Sequence, residues 1–373
     1  MRVLLIIYGA LEQQSGGYRY DARLLSFLEK KGHQVRVFSQ AGGSYLARLL
    51  QDRPGAILRA AKEHRADLVL EDELNHPSLI RSNRRLTRHG IPIVSIVHHL
   101  AEKEEHGWIR GLVVRLVERR YLRSIDGSVY NTATTREDVE ALLRGSLPGV
   151  VSLPSADGLR ETAGSSSSAT SPERHSAPEE TGSAELRLLT VGSLTRRKRI
   201  DAVIGALALL EGKRPTLTIV GSDAPEPYTA KSLRRLSGRL GVAEGVTFLG
   251  GLDEGELDRA YREHDLFVLP SQYEGFGMVY LEAMARGLPV IAGDAGGART
   301  IVRHGTNGYL TKAGSAAGVA QLLAAIMERP EELRRLSRGA LETARRHPTW
   351  EESFAPAEEF LRRLATERGS DGL

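Results

Sequence analysis

The sequence predicts an α/β chain built from two doubly wound parallel sheets, and three observations carry this. Short apolar runs alternate with longer amphipathic stretches along most of the chain. The runs form two successive series, Val3–Ile7 to Val150–Leu153 and Leu186–Val191 to Val290–Ala292. Between the series, residues 161–184 read ETAGSSSSATSPERHSAPEETGSA, with no aliphatic side chain larger than alanine. A length of 373 residues suits two domains, and such a chain buries roughly 75% of its unfolded surface without staples. Two Rossmann-like domains are therefore expected.

The first series comprises Val3–Ile7, Val35–Phe38, Leu68–Leu70, Ile93–Val97, Ser128–Tyr130 and Val150–Leu153. The second comprises Leu186–Val191, Leu217–Val220, Val246–Leu249, Leu266–Leu269 and Val290–Ala292. Mostly apolar runs of this length fit parallel strands covered on both faces by helices. The opening run Val3–Ile7 is too short for a signal peptide, so it reads as a buried first strand and the cytoplasm is the expected location. The Ser-rich stretch cannot bury enough surface to offset its ordering entropy, and reads as a linker or insertion. The expected division is residues 1–158, a linker at 159–184, residues 185–348, and a final helix at 349–373. That helix, over Trp350–Leu364, is expected to kink or restart at Pro356, with Thr366–Leu373 frayed.

Composition narrows the function. No cysteine occurs, which excludes disulfides, thiolate catalysis and zinc-cysteine or iron-sulfur sites. No stretch of 18 apolar residues occurs, so no membrane-spanning helix is expected. Residues 1–158 carry 23 Lys and Arg against 18 Asp and Glu; the remainder carries 28 against 29. This mild basic excess points to an anionic partner in the first half, a phosphate or a membrane surface, and is too weak and interleaved for nucleic acid. Arg81, Arg84, Arg85 and Arg88 share one helical face. In Trp108–Arg123, Ile109, Leu112, Val113, Leu116 and Val117 share one face, with Arg110, Arg115, Arg119, Arg120 and Arg123 around it. The preferred reading is a domain helix with that stripe packed on the sheet. Peripheral contact with an anionic membrane is the alternative.

The segment Pro270–Ala285, PSQYEGFGMVYLEAMA, carries the chemistry. It follows the strand Leu266–Leu269, turns at Gly275-Phe276-Gly277 and opens a helix at Met278 and Val279. A glycine-rich turn at a helix start offers free N–H groups and the positive dipole end to a phosphate. Gly275 and Gly277 let a ligand approach the backbone. Glu274 can accept hydrogen bonds from sugar hydroxyls, and Glu282, with seven residues between them, can take two hydroxyls of a ribose.

The pattern PS-x-x-EGFG-x-x-x-LEAMA-x-G-x-PV-x-A, complete through Gly287, Pro289, Val290 and Ala292, resembles the signature of the retaining glycosyltransferases of family 4. That resemblance implies the GT-B fold, two Rossmann-like domains facing a cleft, with the final helix crossing back onto the first domain. VGSLTRRK at Val191–Lys198 looks like the family loop that supplies cations to the donor diphosphate. Lys198 falls on the family lysine, and Ser193 stands where the family usually has arginine; Arg196 or Arg197 could reach the phosphate instead. VTFLGG at Val246–Gly251 resembles the base-pocket strand, with Gly250, Gly251 and Leu252 framing the base. Gly16 and Gly17, followed by KGHQV at Lys31–Val35, resemble the family opening, a glycine pair over the donor phosphates. IVSIVHH at Ile93–His99 ends where the family has a histidine beside the donor sugar, and His98 aligns best.

Glu71-Asp72-Glu73, with Asn75 and His76, ends another strand. Glu73 and Asn75 suit acceptor binding, and a divalent metal is the competing reading. The resemblance implies neither metal nor cofactor. It implies transfer of a sugar from a UDP or GDP donor to a glycan, lipid or small-molecule acceptor, with retention at the anomeric carbon. Lys198, Glu274 and His98 are the candidate catalytic residues, with Arg197 among the donor contacts. The expected site of action is the cytoplasm, with peripheral contact at the inner membrane face.

Overall fold

The computed structural model describes residues 1–11, 16–104, 107–156, 185–223 and 229–370. The Ser-rich stretch and Gln13–Ser15 lie outside the described residues. The chain forms two compact units, Met1–Ser155 with Pro348–Leu373, and Ala156–His347.

The first unit holds a six-stranded sheet in the order β2-β1-β3-β4-β5-β6: β1 (Arg2–Tyr8), β2 (Gln34–Gln40), β3 (Leu68–Asp72), β4 (Ile93–Val97), β5 (Gly127–Tyr130) and β6 (Gly149–Val151). Every pairing is parallel. Its helices are α1 (Gly16–Lys30), α2 (Tyr45–Leu49), α3 (Pro54–His64), α4 (Ile80–Thr87), α5 (Trp108–Leu122) and α6 (Ala133–Leu143). Strand side chains alternate between faces. Val3, Leu5 and Ile7 pack with Leu24 and Leu28 of α1, while Leu4 and Ile6 pack with Ile57 and Ala61 of α3.

The second unit repeats the design in the order β12-β11-β10-β7-β8-β9, again all parallel. Its strands are β7 (Arg187–Val191), β8 (Thr216–Val220), β9 (Val246–Gly250), β10 (Leu266–Leu269), β11 (Val290–Gly293) and β12 (Gly308–Thr311). Its helices are α7 (Ile200–Leu209), α8 (Ala230–Arg239), α9 (Glu254–Glu263), α10 (Met278–Ala285), α11 (Ala298–Ile301), α12 (Ala316–Glu328) and α13 (Pro330–Arg346). A reciprocal capping box of Asp253 and Glu256 starts α9.

The last helix, α14 (Trp350–Ser370), belongs to the first unit. Phe354, Ala357, Phe360 and Leu361 bury its inner face against α1 and β1. The expected restart at Pro356 does not occur; the helix runs through Pro356 to Ser370, and the end of the stretch expected to fray, residues 371–373, lies outside the described residues. Buried anchors on both sides of the proline offset the one hydrogen bond it removes. Among the described residues, no helix is long and apolar enough to cross a membrane.

Candidate active site

In open parallel sheets, ligands bind beyond the carboxyl ends of the strands where the strand order reverses. In the second unit that point lies between β7 and β10, and the segments that leave these two strands meet. After β7 the chain makes a turn at Gly192–Thr195 and a single 3-10 turn at Arg196–Lys198. Lys198 Nζ donates to Glu274 Oε1 at 2.8 Å. The Arg197 guanidinium lies 3.3 Å from Glu274 Oε2 and donates to the Tyr273 carbonyl at 2.6 Å. The Gln272 N–H closes the contact on the Arg197 carbonyl at 2.7 Å.

Glu274 is buried and Lys198 half-buried. Burial alone would raise the Glu274 carboxyl, but Lys198 and Arg197 outweigh it and hold the group at about 2. Burial lowers the Lys198 ammonium, with Arg197 adding to that effect and Glu274 opposing it. Two cations thus face one carboxylate, leaving positive charge where α10 begins.

Gly277 starts α10 at φ +87°, and a Cβ there would lie 2.4 Å from the Tyr280 ring. The Tyr280 hydroxyl donates to the Leu269 carbonyl, fixing the turn to the end of β10. Met278 and Val279 are half-buried in the first turn, and Phe276 is buried with its ring 5.7 Å from His347. The run Gly293–Gly297, not singled out from the sequence, completes the turn. The Gly297 N–H donates to the Glu274 carbonyl, and a Cβ at Gly297 would lie 2.1 Å from the Gly275 oxygen. Glu282, one turn into α10, is buried and accepts from the Tyr261 hydroxyl at 2.9 Å.

Beside this turn, the ends of β7, β8 and β9 enclose a hollow of about 250 Å³ whose lining includes Leu194, Ile219, Gly221, Phe248, Gly250 and Gly251. A Cβ at Gly221 would lie 2.0 Å from the Gly192 oxygen, so the strand ends meet backbone to backbone. Arg234 covers Phe248, its guanidinium 4.5 Å from the ring centre. Leu252 is half-buried just beyond Gly251. Ser193 lies at the mouth of this loop, its carbonyl accepting the Thr195 N–H.

In the first unit the strand order reverses between β1 and β3. Gly16 and Gly17 open α1, and a Cβ at Gly17 would lie 3.1 Å from the His98 ring. His98, at the end of β4, is buried. Its Nε2 pairs with Asp21 Oδ1 at 3.0 Å, its N–H donates to Glu73 Oε2 at 2.9 Å, and its carbonyl accepts from Asn131. Burial disfavours the charged ring, but Asp21, Glu73 and Asp72 outweigh it and push the imidazolium up to about 10. Burial raises Asp72 to about 7 and, with Asp72 adding, lifts Glu73 well above the usual carboxylate range. His99 points elsewhere, its Nε2 3.1 Å from Glu104.

Two positions read as acceptor contacts differ in character. Asn75 is fully buried, and its amide donates to Gln40 at 3.0 Å, so it offers an acceptor no surface. Glu73 is buried and committed to the His98 N–H. Asp21, Asp72 and His98 each present one ligand atom, all within 4.8 Å of one another; among the described residues this trio could hold a metal ion. Asp21 was not singled out from the sequence; its place one turn after Gly17 on α1 was the available signal.

Comparison with known proteins follows this geometry. Residues 173–343 match the model of the family described as glycosyl transferases group 1. The chain is 28% identical to a D-inositol 3-phosphate glycosyltransferase of Nocardia farcinica, over 85% of this chain and 78% of that protein. It is 29% identical to glycogen synthase of Mycobacterium tuberculosis, over 67% of this chain and 58% of that one. Among solved structures, sucrose-phosphate synthase from Thermosynechococcus elongatus superposes with a TM-score of 0.79 at 19% identity, covering 98% of this chain and 99% of that one. Anabaena HepE in complex with UDP-glucose gives 0.69 at 20% identity, covering 99% and 100%. At such identities the structural likeness concerns the fold, that of the GT-B glycosyltransferases.

Proposed function

We propose that this chain, a glycosyltransferase with a group 1 module at residues 173–343, moves a sugar from a nucleoside diphosphate to an acceptor hydroxyl with retention, without metal, in the manner of family 4. The observation that carries the reading is the cluster of Lys198, Arg197 and Glu274 at the glycine-started end of α10. It leaves positive charge and unsatisfied helix N–H groups at one point, which suits a departing diphosphate. Arg197 supplies the second cation that Ser193 lacks. The Gly16–Gly17 end of α1 adds further N–H groups to the phosphates. Gly251 and Leu252 bound the base, and Glu282, with one oxygen on Tyr261, takes the ribose hydroxyls.

The sugar passes through an oxocarbenium-like state as the C1–O bond to the diphosphate lengthens. The acceptor oxygen attacks from the same face, and the leaving phosphate oxygen takes its proton. Glu274 stays ionised and tied to Lys198, so it orients the donor sugar and does not attack. His98, an imidazolium paired with Asp21, lends positive charge beside the sugar. The acceptor is a glycan, lipid or small molecule held by the first unit, and the reaction runs in the cytoplasm. A relative in the fold, HepE, is complexed with UDP and with UDP-glucose, which makes uridine diphosphate sugars the first donors to assay.

Calorimetry with UDP and uridine separates the diphosphate contacts from the base. Lys198→Ala and Arg197→Gln should each weaken UDP binding on the order of tenfold or more and leave uridine unchanged. Product NMR reads the anomeric configuration directly. Equal UDP affinity in both variants, or an inverted product, would defeat the reading.

A further inference from the structure

The first unit turns an apolar helix face outward. Along α5, Val114, Glu118, Tyr121 and Leu122 are buried. Glu118 accepts from the Ala101 and Glu102 N–H groups, and Tyr121 donates to Ser95. This anchoring rotates the stripe expected to pack on the sheet to the opposite side. Trp108 is 82% exposed, and Ile109, Leu112, Val113 and Leu116 follow it on that side. Val117 alone of the stripe is half-buried. Helix α2 adds Leu46 and, at its C-cap, Leu50, the latter 88% exposed. The two helices sit on the same 3-10 turn, Glu73–Ser78: His76 bonds the Tyr45 hydroxyl of α2 and meets the Tyr121 ring of α5. Seven of the eight large exposed apolar side chains among the described residues of this unit therefore lie on two helices sharing one support.

Arginines edge the stripe. Arg110 and Arg115 flank it, and Arg119, Arg120 and Arg123 close its end. Arg123, Arg144 and Arg115 crowd Arg119 closely enough to lower its pKa. A second copy seated on this face would bring these like charges together. A layer of anionic headgroups would neutralise them while the apolar stripe enters the acyl boundary.

We propose that α5, with Leu46 and Leu50 of α2, docks the protein on anionic lipid bilayers, lying in the interface plane. Cosedimentation of the full chain with vesicles tests this, using phosphatidylcholine alone and phosphatidylcholine mixed equally with phosphatidylglycerol. Binding to the mixed vesicles only, weakened by salt, is expected. Leu112→Ser with Leu116→Ser should abolish it, and Arg120→Gln with Arg123→Gln should weaken it by roughly fivefold per arginine. These side chains lie on the outer face or its edge, so melting temperature and UDP binding should stay unchanged. No binding of the unaltered chain at low salt overturns the proposal. So does a dimer in solution that the serine variant splits while no vesicle is bound, which would assign the face to a second copy.

Discussion

Replacing Glu274 with glutamine tests the charge arrangement at the start of α10. The carboxyl is buried and held at about 2 against an ordinary 4.5, because Lys198 and Arg197 outweigh the cost of burial. Converted at about 1.36 kcal/mol per pH unit, that difference is worth roughly 3 kcal/mol of folding free energy. Its sign is fixed by the lowered pKa: the stability is fully present above about 4.5 and is lost as pH falls toward about 2. Glu274→Gln lacks the charge at every pH. At neutral pH the variant should be less stable by roughly 3 kcal/mol, the scale of breaking a buried pair. The two stability curves should converge as the wild-type carboxyl takes its proton. Urea unfolding at a series of pH values measures this. Both tryptophans, Trp108 and Trp350, lie in the first unit. Fluorescence therefore follows that unit, and the circular dichroism change without a fluorescence counterpart follows the second. Parallel curves through the acid range, or equal stability at neutral pH, would refute the pairing.

Other substitutions bear on the same site. Gly277→Ala forces an alanine to φ +87° with its Cβ on the Tyr280 ring, and should cost about 2 kcal/mol or more and abolish UDP binding, read by thermal shift. Asp21→Asn removes the main partner of His98, whose imidazolium should fall from about 10 toward its ordinary 6.5 in an NMR titration. Because the folded pKa is raised, that pair stabilises the fold below about 6.5 and its contribution disappears as pH rises toward 10; the variant should lack this alkaline loss. Gly17→Ala places a Cβ 3.1 Å from the His98 ring and should slow transfer on the order of tenfold while costing under about 1 kcal/mol of stability. EDTA should leave the transfer rate unchanged, and a rate restored only by added divalent ion would contradict the metal-free reading.

The sequence disclosed the two sheets because parallel strands covered on both faces are continuous apolar runs. It was less informative at the edges. Strand β12, Gly308–Thr311, reads Gly-Tyr-Leu-Thr and borders the sheet, so half of it is polar or small. The Pro270–Ala285 turn was legible because its residues are contiguous. The Gly293–Gly297 contribution was not, because it depends on how closely another chain segment passes Glu274 and Gly275. Period 3.6 groups Ile109, Leu112, Val113 and Leu116 on one face but does not say which face turns inward. Glu118 decided that, a buried carboxylate that binary patterning assigns to solvent. The choice of Arg197 over Arg196 as the cation near Glu274 required the 3-10 turn, which sets the direction of each side chain.

The two clusters differ in charge, and this bears on what each would bind under the proposed reading. At Glu274 two half-buried cations face one buried carboxylate that stays ionised, so an incoming diphosphate would relieve an existing imbalance. At His98 one imidazolium faces Asp21, Asp72 and Glu73. Burial raises both Asp72 and Glu73 above the usual carboxylate range. A metal ion would have to displace the His98 proton, which Asp21 holds up to about pH 10. Each cluster is already fixed by hydrogen bonds within its own unit, so under the proposed reaction neither would have to reorganise its charges as the leaving group develops its own.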